Sequence, residues 1–209
     1  MNAVKEPEIK LFELGPTRSA RARWALLEAE LPFQSIGNDV SIIGSEELLA
    51  VHPLGKLPAM LIDGRPLFES AAILTAVADL VPEKQLVAPA GSWSRNLHYQ
   101  WISFIQSELE AFLQSTEVNS IDFIIPESEH VPGIKAQNDR FFRKGAAVLN
   151  ETLGQSDYLV DDHFSVTDIY AAYAVNWGQE QGLISEFPNL VSYQDRLLER
   201  EHCTLQRHD

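Results

Sequence analysis

The sequence predicts a small α/β domain over residues 1–82, a linker over 83–92 and an all-α domain over 93–209. Three observations carry this. Strand and helix signals alternate as far as Pro82. The stretch from Pro82 to Ser92 holds two prolines, a glycine and small residues, the composition of a linker. From Ser92 to Ile125 there is then no Gly or Pro, and Leu97, Trp101, Phe104, Ile105, Phe112 and Leu113 recur at helical spacing.

The elements follow in order. Ile9–Phe12 reads as a strand, and Ser19–Glu30 as a helix with Trp24, Leu27 and Leu31 on one face. Leu31–Ile36 returns as a strand, and a short helix is expected near Ser45–Val51. Two short apolar runs then flank Asp63-Gly64, a strong hairpin signal because such turns need positive φ. Ser70 opens a helix whose apolar positions are Ile73, Leu74, Val77, Leu80 and Val81, and which stops before Pro82. A β-α-β unit followed by β-β-α is the pattern of a thioredoxin-like domain. In the second half, a helix is expected from about Pro132 to Leu153, with Gly154 placed to stop it. Ser165-Val-Thr-Asp168 is a capping box opening another helix, and Phe187-Pro-Asn-Leu starts the last, which runs to about Arg200.

Composition removes several function classes. Of 209 residues, 45% are hydrophobic, ordinary for a globular core. The formal net charge of −14 disfavours nucleic acid and anionic membranes as partners, since both need clustered Lys and Arg. One cysteine, Cys203, permits no disulfide framework and no Cys-x-x-Cys pair, and nothing beside it in sequence is arranged to activate it. The six histidines lack ligand spacing, so no metal site is expected. The N-terminal residues carry no apolar leader-like run, and no segment approaches a membrane span, which makes the cytoplasm the expected location.

The segment from Leu54 to Ser70 bears the functional signal. It places Lys56-Leu57-Pro58 on one side of a hairpin and Glu69-Ser70 on the other. A hydroxyl beside the open N–H groups of a helix start suits an anion, and the ordered set suits something small and zwitterionic. The arrangement resembles the glutathione site of the glutathione transferase family. The resemblance implies that Leu57 pairs its backbone with the tripeptide, that Pro58 is cis, and that Glu69-Ser70 grip the γ-glutamyl end. It extends over nearly the whole chain: Trp101-Ile-x-Phe104, Tyr158-Leu-Val, Phe164-Ser-x-x-Asp168 and Phe187-Pro-Asn-Leu are similar to the family's helical domain. His52 stands where the family usually has Asn, and Asp161 where Gly is frequent. A His before Pro in a loop reads as structural, and Asp tolerates left-handed backbone.

The turn after the first strand carries, in the family, the residue that hydrogen-bonds the glutathione sulfur. The first domain has no Tyr and no Cys, so only the hydroxyls of Thr17 and Ser19 are available, and a cysteine-dependent thiol transferase is excluded. Comparison with relatives of the Ser-Arg-Ser-x-Arg type sets Thr17 where many carry Ser and Ser19 at the second Ser; one of the two is also the expected helix cap. Lowering a thiol pKa by two units from about 8.5 takes about 2.7 kcal/mol. A hydrogen bond to a charged acceptor supplies roughly 1.5–3 kcal/mol, and a helix start a further 0.3–1 or so. Arg18 and Arg21 are candidates to assist, and Arg18 or Lys56 to meet carboxylate charge. The expected activity is therefore attack by glutathione thiolate on a small, hydrophobic electrophile, with glutathione as co-substrate and a two-fold homodimer as the assembly. A glutathione-dependent disulfide reductase or peroxidase, or a non-catalytic binding protein, are the alternatives on the same fold. By position, Ser103, Ser107 and Glu110 are candidates to face a second-substrate pocket.

Overall fold

The computed structural model describes residues 6–122 and 124–208, so most of the N-terminal stretch read for a leader lies outside the described residues. The chain divides into two compact units. The first runs to Val87 and takes in Glu201–Leu205; the second holds Ala88–Arg200 and the residues from Gln206 onward. Residues 201–205 are thus separated in sequence from the unit they join, and Thr204 Oγ1 donates to the Ala20 carbonyl at 2.8 Å.

In the first unit, β1 (Ile9–Glu13), β2 (Gln34–Gly37), β3 (Ala59–Ile62) and β4 (Arg65–Phe68) form one sheet in the order β2-β1-β3-β4. β1 and β2 are parallel, joined through the helix α1 (Ser19–Glu28), whereas β1–β3 and β3–β4 are antiparallel. This is the β-α-β, β-β-α order read from the sequence. β2 begins at Gln34 rather than Leu31, because Pro32 brings no N–H to a ladder. The hairpin turn is Asp63-Gly64, with φ of 49° and 75°; both central residues are left-handed, as a type I′ turn requires.

α1 and α3 (Ser70–Leu80) pack against each other, α1 against β1 and α3 against β3 and β4. Trp24, Ala25, Leu26, Ile73, Leu74 and Val77 are all fully buried there. Phe12, on the opposite pleat of β1 from Leu11, packs with Ile42, Leu48, Val51 and Ala59, which ties the short helix α2 (Glu46–Leu49) to the sheet; Leu57 joins this cluster.

The regular elements of the second unit, among the described residues, are all helices: α4 (Trp93–Ile105), a π-helical turn at Gln106–Glu110, α5 (Ala111–Val118), a 3-10 turn at Glu127–Glu129, α6 (Ile134–Thr152), α7 (Val166–Glu180) and α8 (Pro188–Leu198). The run without Gly or Pro is therefore helical but not uniform. α6 starts two residues after Pro132, with Gly133 left-handed (φ 79°) at its cap. Gly154 follows the helix end for a different reason from the one expected. It has no positive φ; instead, an added Cβ would come within 2.8 Å of Asn189 Nδ2. The capping box is present in full: Ser165 caps α7, and Asp168 accepts from the Ser165 N–H at 2.9 Å. Asp168 also accepts from the Leu159 N–H and the Tyr193 hydroxyl, so one buried carboxylate joins the start of α7 to the 159 loop and to α8. Asp161 is left-handed (φ 54°), as expected of a residue replacing Gly.

Candidate functional site

The first unit brings three pieces of the sequence signal to well-defined positions. The first is the turn between β1 and α1. Thr17 Oγ1 has two acceptors within reach, the Leu14 carbonyl at 2.5 Å and Ser19 Oγ at 2.9 Å, and it accepts from the Ser19 N–H at 3.2 Å. Ser19 Oγ in turn accepts from the Leu14 N–H at 3.3 Å. The two hydroxyls therefore lock the turn together. They differ in access: Ser19 is 1% exposed, while Thr17 is half-buried. Thr17 also accepts from the first N–H of α1, but the cap position is held by Arg18, whose backbone is already helical and whose side chain makes no cap bond, so neither hydroxyl is the N-cap expected.

The three arginines of this stretch do not form one basic patch. Arg23 makes a two-pronged pair with Glu13, through Nε at 2.8 Å and through Nη2, and Ser35 Oγ donates to the same carboxylate. That pair explains how Glu13, 3% exposed, is tolerated at the buried end of β1. Its guanidinium is spent on fixing α1 to the sheet. Arg18 remains half-buried at the helix start. Arg21 is fully buried and points elsewhere: its Nη1 donates to Ser70 Oγ at 3.2 Å.

The second piece is the loop before β3. His52 is 4% exposed, its Nδ1 accepts from the Leu54 N–H at 3.0 Å, and its ring packs on Phe68 with centroids 4.7 Å apart. These contacts hold the ring inside the loop, so His52 shapes the loop, as the sequence suggested. The Gly55 N–H closes the same loop onto the His52 carbonyl at 2.8 Å. Lys56 is exposed beyond it, Leu57 is half-buried, and the Leu57–Pro58 peptide is cis. The Gly15–Pro16 peptide in the first turn is cis as well, which nothing in the sequence had marked.

The third piece is the start of α3. Glu69 is exposed and left-handed (φ 71°, ψ 117°), and its side chain makes no cap bond. A non-glycine residue in this region costs of order 1–3 kcal/mol and is held where the surroundings demand it. The Glu69 carbonyl takes the first helical bond, from the Ile73 N–H at 3.0 Å. The N–H groups of Ser70, Ala71 and Ala72 thus lie in the first turn, which has no intrahelical acceptor for them. Ser70 itself is 6% exposed.

The candidates of the helical unit differ in exposure. Ser103 and Ser107 are exposed, and the Ser107 hydroxyl engages Glu108 Oε1 at 3.1 Å, whereas Glu110 is 4% exposed inside the unit. Glu13 and the Arg21–Ser70 bond are what sequence reasoning did not single out; Glu13 meets Arg23 and Ser35, 10 and 22 residues away, and Arg21 and Ser70 lie 49 apart, all beyond the reach of local spacing.

Among the described residues no cluster of three or more His, Cys, Asp or Glu is arranged to hold a metal ion, and no helix is long and apolar enough to cross a membrane. Comparison with known proteins supplies the rest. The sequence model of the glutathione S-transferase N-terminal domain matches residues 7–79, and that of the C-terminal domain residues 126–201. Glutathione S-transferase GstA of Escherichia coli O157:H7 is 28% identical over 198 residues, 92% of this chain and 94% of that protein. A ternary complex of BphK, a bacterial GST, has a TM-score of 0.82 at 29% identity, covering 93% of this chain and 95% of that one. A sphingomonad glutathione S-transferase complexed with glutathione has a TM-score of 0.79 at 27% identity, covering 93% and 94%. The thioredoxin-like sheet, the helical unit with its capping box and both domain matches converge, and the chain belongs to the glutathione S-transferase family.

Proposed function

We propose that this chain binds glutathione on its first unit and transfers the thiolate to an electrophilic carbon of a small, apolar molecule. One observation carries the reading. Three features that suit the parts of the tripeptide occur together in the first unit: a hydroxyl turn at the start of α1, the loop ending in cis-Pro58, and the donor-rich start of α3. The glutathione complex of the sphingomonad relative supports it. In this reading Glu69 takes the ammonium and Ser70 the carboxylate of the γ-glutamyl group, Leu57 pairs with the cysteinyl backbone, and Lys56 or Arg18 meets the remaining carboxylate.

The sulfur partner in this reading is Thr17. Its proton rests on a neutral acceptor, a bond worth about 0.5–1.5 kcal/mol net, whereas a hydrogen bond to a charged group is worth about 1.5–3. A thiolate arriving beside Thr17 therefore outcompetes the Leu14 carbonyl. Ser19, buried and already serving the Leu14 N–H, keeps the turn in shape. The thiol loses its proton to solvent, sulfur bonds to the electrophilic carbon, and the leaving group departs with its electron pair. Positioning and thiolate stabilisation are the protein's contribution.

Calorimetry with reduced glutathione, followed by conjugation assays with an aryl halide and disulfide-exchange assays with a mixed disulfide, tests the reading. Saturable heat at millimolar glutathione and turnover of the halide are expected. Exchange without conjugation would assign the same thiolate to disulfide reduction, and no heat at all would leave a non-catalytic scaffold. Light scattering on the purified chain checks the two-fold homodimer that the family resemblance implies.

A further inference from the structure

We propose that Thr204 is a positioning residue for the thiolate site, acting through the first turn of α1; this rests on the glutathione reading above. Thr204 belongs to the segment Glu201–Leu205, which joins the first unit although the chain on either side of it belongs to the second. The segment acts on α1 near both of its ends. Just past the end of α1, the Lys84 ammonium and, less strongly, His202 hold the exposed Glu30 carboxyl below the usual carboxylate range. Two residues after His202, the half-buried Thr204 donates from Oγ1 to the carbonyl of Ala20, in the first turn, at 2.8 Å.

Ala20 is where that bond reaches the site. Its carbonyl takes the Thr204 hydroxyl, and its N–H donates to the Thr17 carbonyl at 3.0 Å. Thr17 Oγ1 in turn rests on the Leu14 carbonyl and on Ser19 Oγ. A short run of hydrogen bonds thus leads from Thr204 to the hydroxyl that meets the sulfur in the reading above. The helix start needs such a hold from outside. Arg18, at the cap position, makes no cap bond with its side chain, and no acidic side chain stands in the first turn. A group that serves a reacting atom has to be held within about 0.5 Å of its working place. Loosening the Ala20 peptide is therefore felt at the sulfur and not only in stability. Sequence spacing gives no sign of the contact, because the two residues lie 184 apart.

The test is the pH profile of turnover with an aryl halide. Thr204→Val keeps the shape of the side chain and removes its proton donor. At pH 6.5 turnover should fall by about threefold or more, as the thiol pKa of bound glutathione rises by about half a unit or more. The deficit should vanish above the shifted pKa, the KM for glutathione should stay within about twofold of the parent's, and Thr204→Ser should restore the parent's profile. A Thr204→Val chain that melts lower but keeps the parent's pH profile makes the bond purely structural and overturns the proposal, as does a Thr204→Ser chain that behaves like Thr204→Val. If Thr204→Val does not fold, the parent chain labelled with 13C in its threonine methyl groups gives the answer by NMR. With glutathione bound, the Thr204 methyl resonance should move with pH together with the thiol; with S-methylglutathione, which has no thiol, it should stay in place over the same range. A Thr204 resonance that moves alike with both peptides, or with neither, overturns the role. A folded parent that takes no glutathione removes the glutathione reading itself, whereas glutathione turnover that Thr204→Val leaves intact at every pH removes only Thr204.

Discussion

Ser19 is 1% exposed and Thr17 half-buried, and that difference is why the proposed function gives the sulfur contact to Thr17. It also separates the consequences of removing each. Thr17→Val keeps the shape of the side chain and deletes the donor. The thiol pKa of bound glutathione should rise by one to two units, matching a lost charged hydrogen bond of about 1.5–3 kcal/mol. Turnover at pH 6.5 is expected to fall by at least about tenfold, with glutathione affinity within about threefold of the parent. A pH–rate profile checks the cause, since the deficit should close as pH rises above the shifted pKa. Ser19→Ala strips the Leu14 N–H of its acceptor instead, at a cost of about 1–3 kcal/mol of stability, and folded protein should keep most of its turnover. The reverse pattern, with Ser19→Ala dead but stable and Thr17→Val active, would transfer the sulfur contact to Ser19.

At the scale of elements, what was legible in the sequence was what neighbours in the chain enforce on each other. Asp63-Gly64 fixed the hairpin because two adjacent residues must be left-handed, and Ser165 and Asp168 fixed the start of α7 because they lie one turn apart. The same holds for the three pieces of the candidate site, each a local turn or cap. What was not legible depends on distant partners. The start of α8 has Pro188 at its first position and no cap of its own. Asn150, near the end of α6, supplies one: its Oδ1 accepts from the N–H groups of Asn189 at 2.9 Å and Leu190 at 3.3 Å. Its carbonyl takes the Asn189 amide, and the same closeness is what requires Gly154. A cap drawn from another helix, 39 residues away, leaves no spacing to read. Asn150→Ala should cost about 1–2 kcal/mol, as removal of a good cap does, and lower the melting temperature by a few degrees without changing glutathione binding. Thermal denaturation followed by circular dichroism checks this; an unchanged melting point would mean that water caps α8 equally well.

For the molecule as a whole, net charge sets the background and one buried carboxylate sets a specific slope. At −14, acidification reduces self-repulsion, so the stability of the parent alone does not isolate any single group. Asp168 stands out from that background. Burial pushes its pKa up to about 6, against the four hydrogen bonds from Leu159, Tyr193 and Ser165 that favour the charged form. The Tyr193 hydroxyl is held well above its usual range by burial and by the Asp168 charge, so it stays a donor throughout. A folded-state pKa above the unfolded value of 3.8 means that the folded chain binds the extra proton between the two. The stability this contributes is complete below the unfolded pKa and is lost as pH rises through about 6, for a total of about 3 kcal/mol. Asp168→Asn stays neutral at every pH, so it is less stable for want of a second acceptor but lacks this slope. Denaturant unfolding from pH 4 to 8 should show the advantage of the parent over the variant shrinking by roughly that amount and levelling off above pH 7. An advantage that grows with pH instead would mean that the hydrogen bonds at the helix start outweigh burial, and that the capping carboxylate is held by its charge rather than in spite of it.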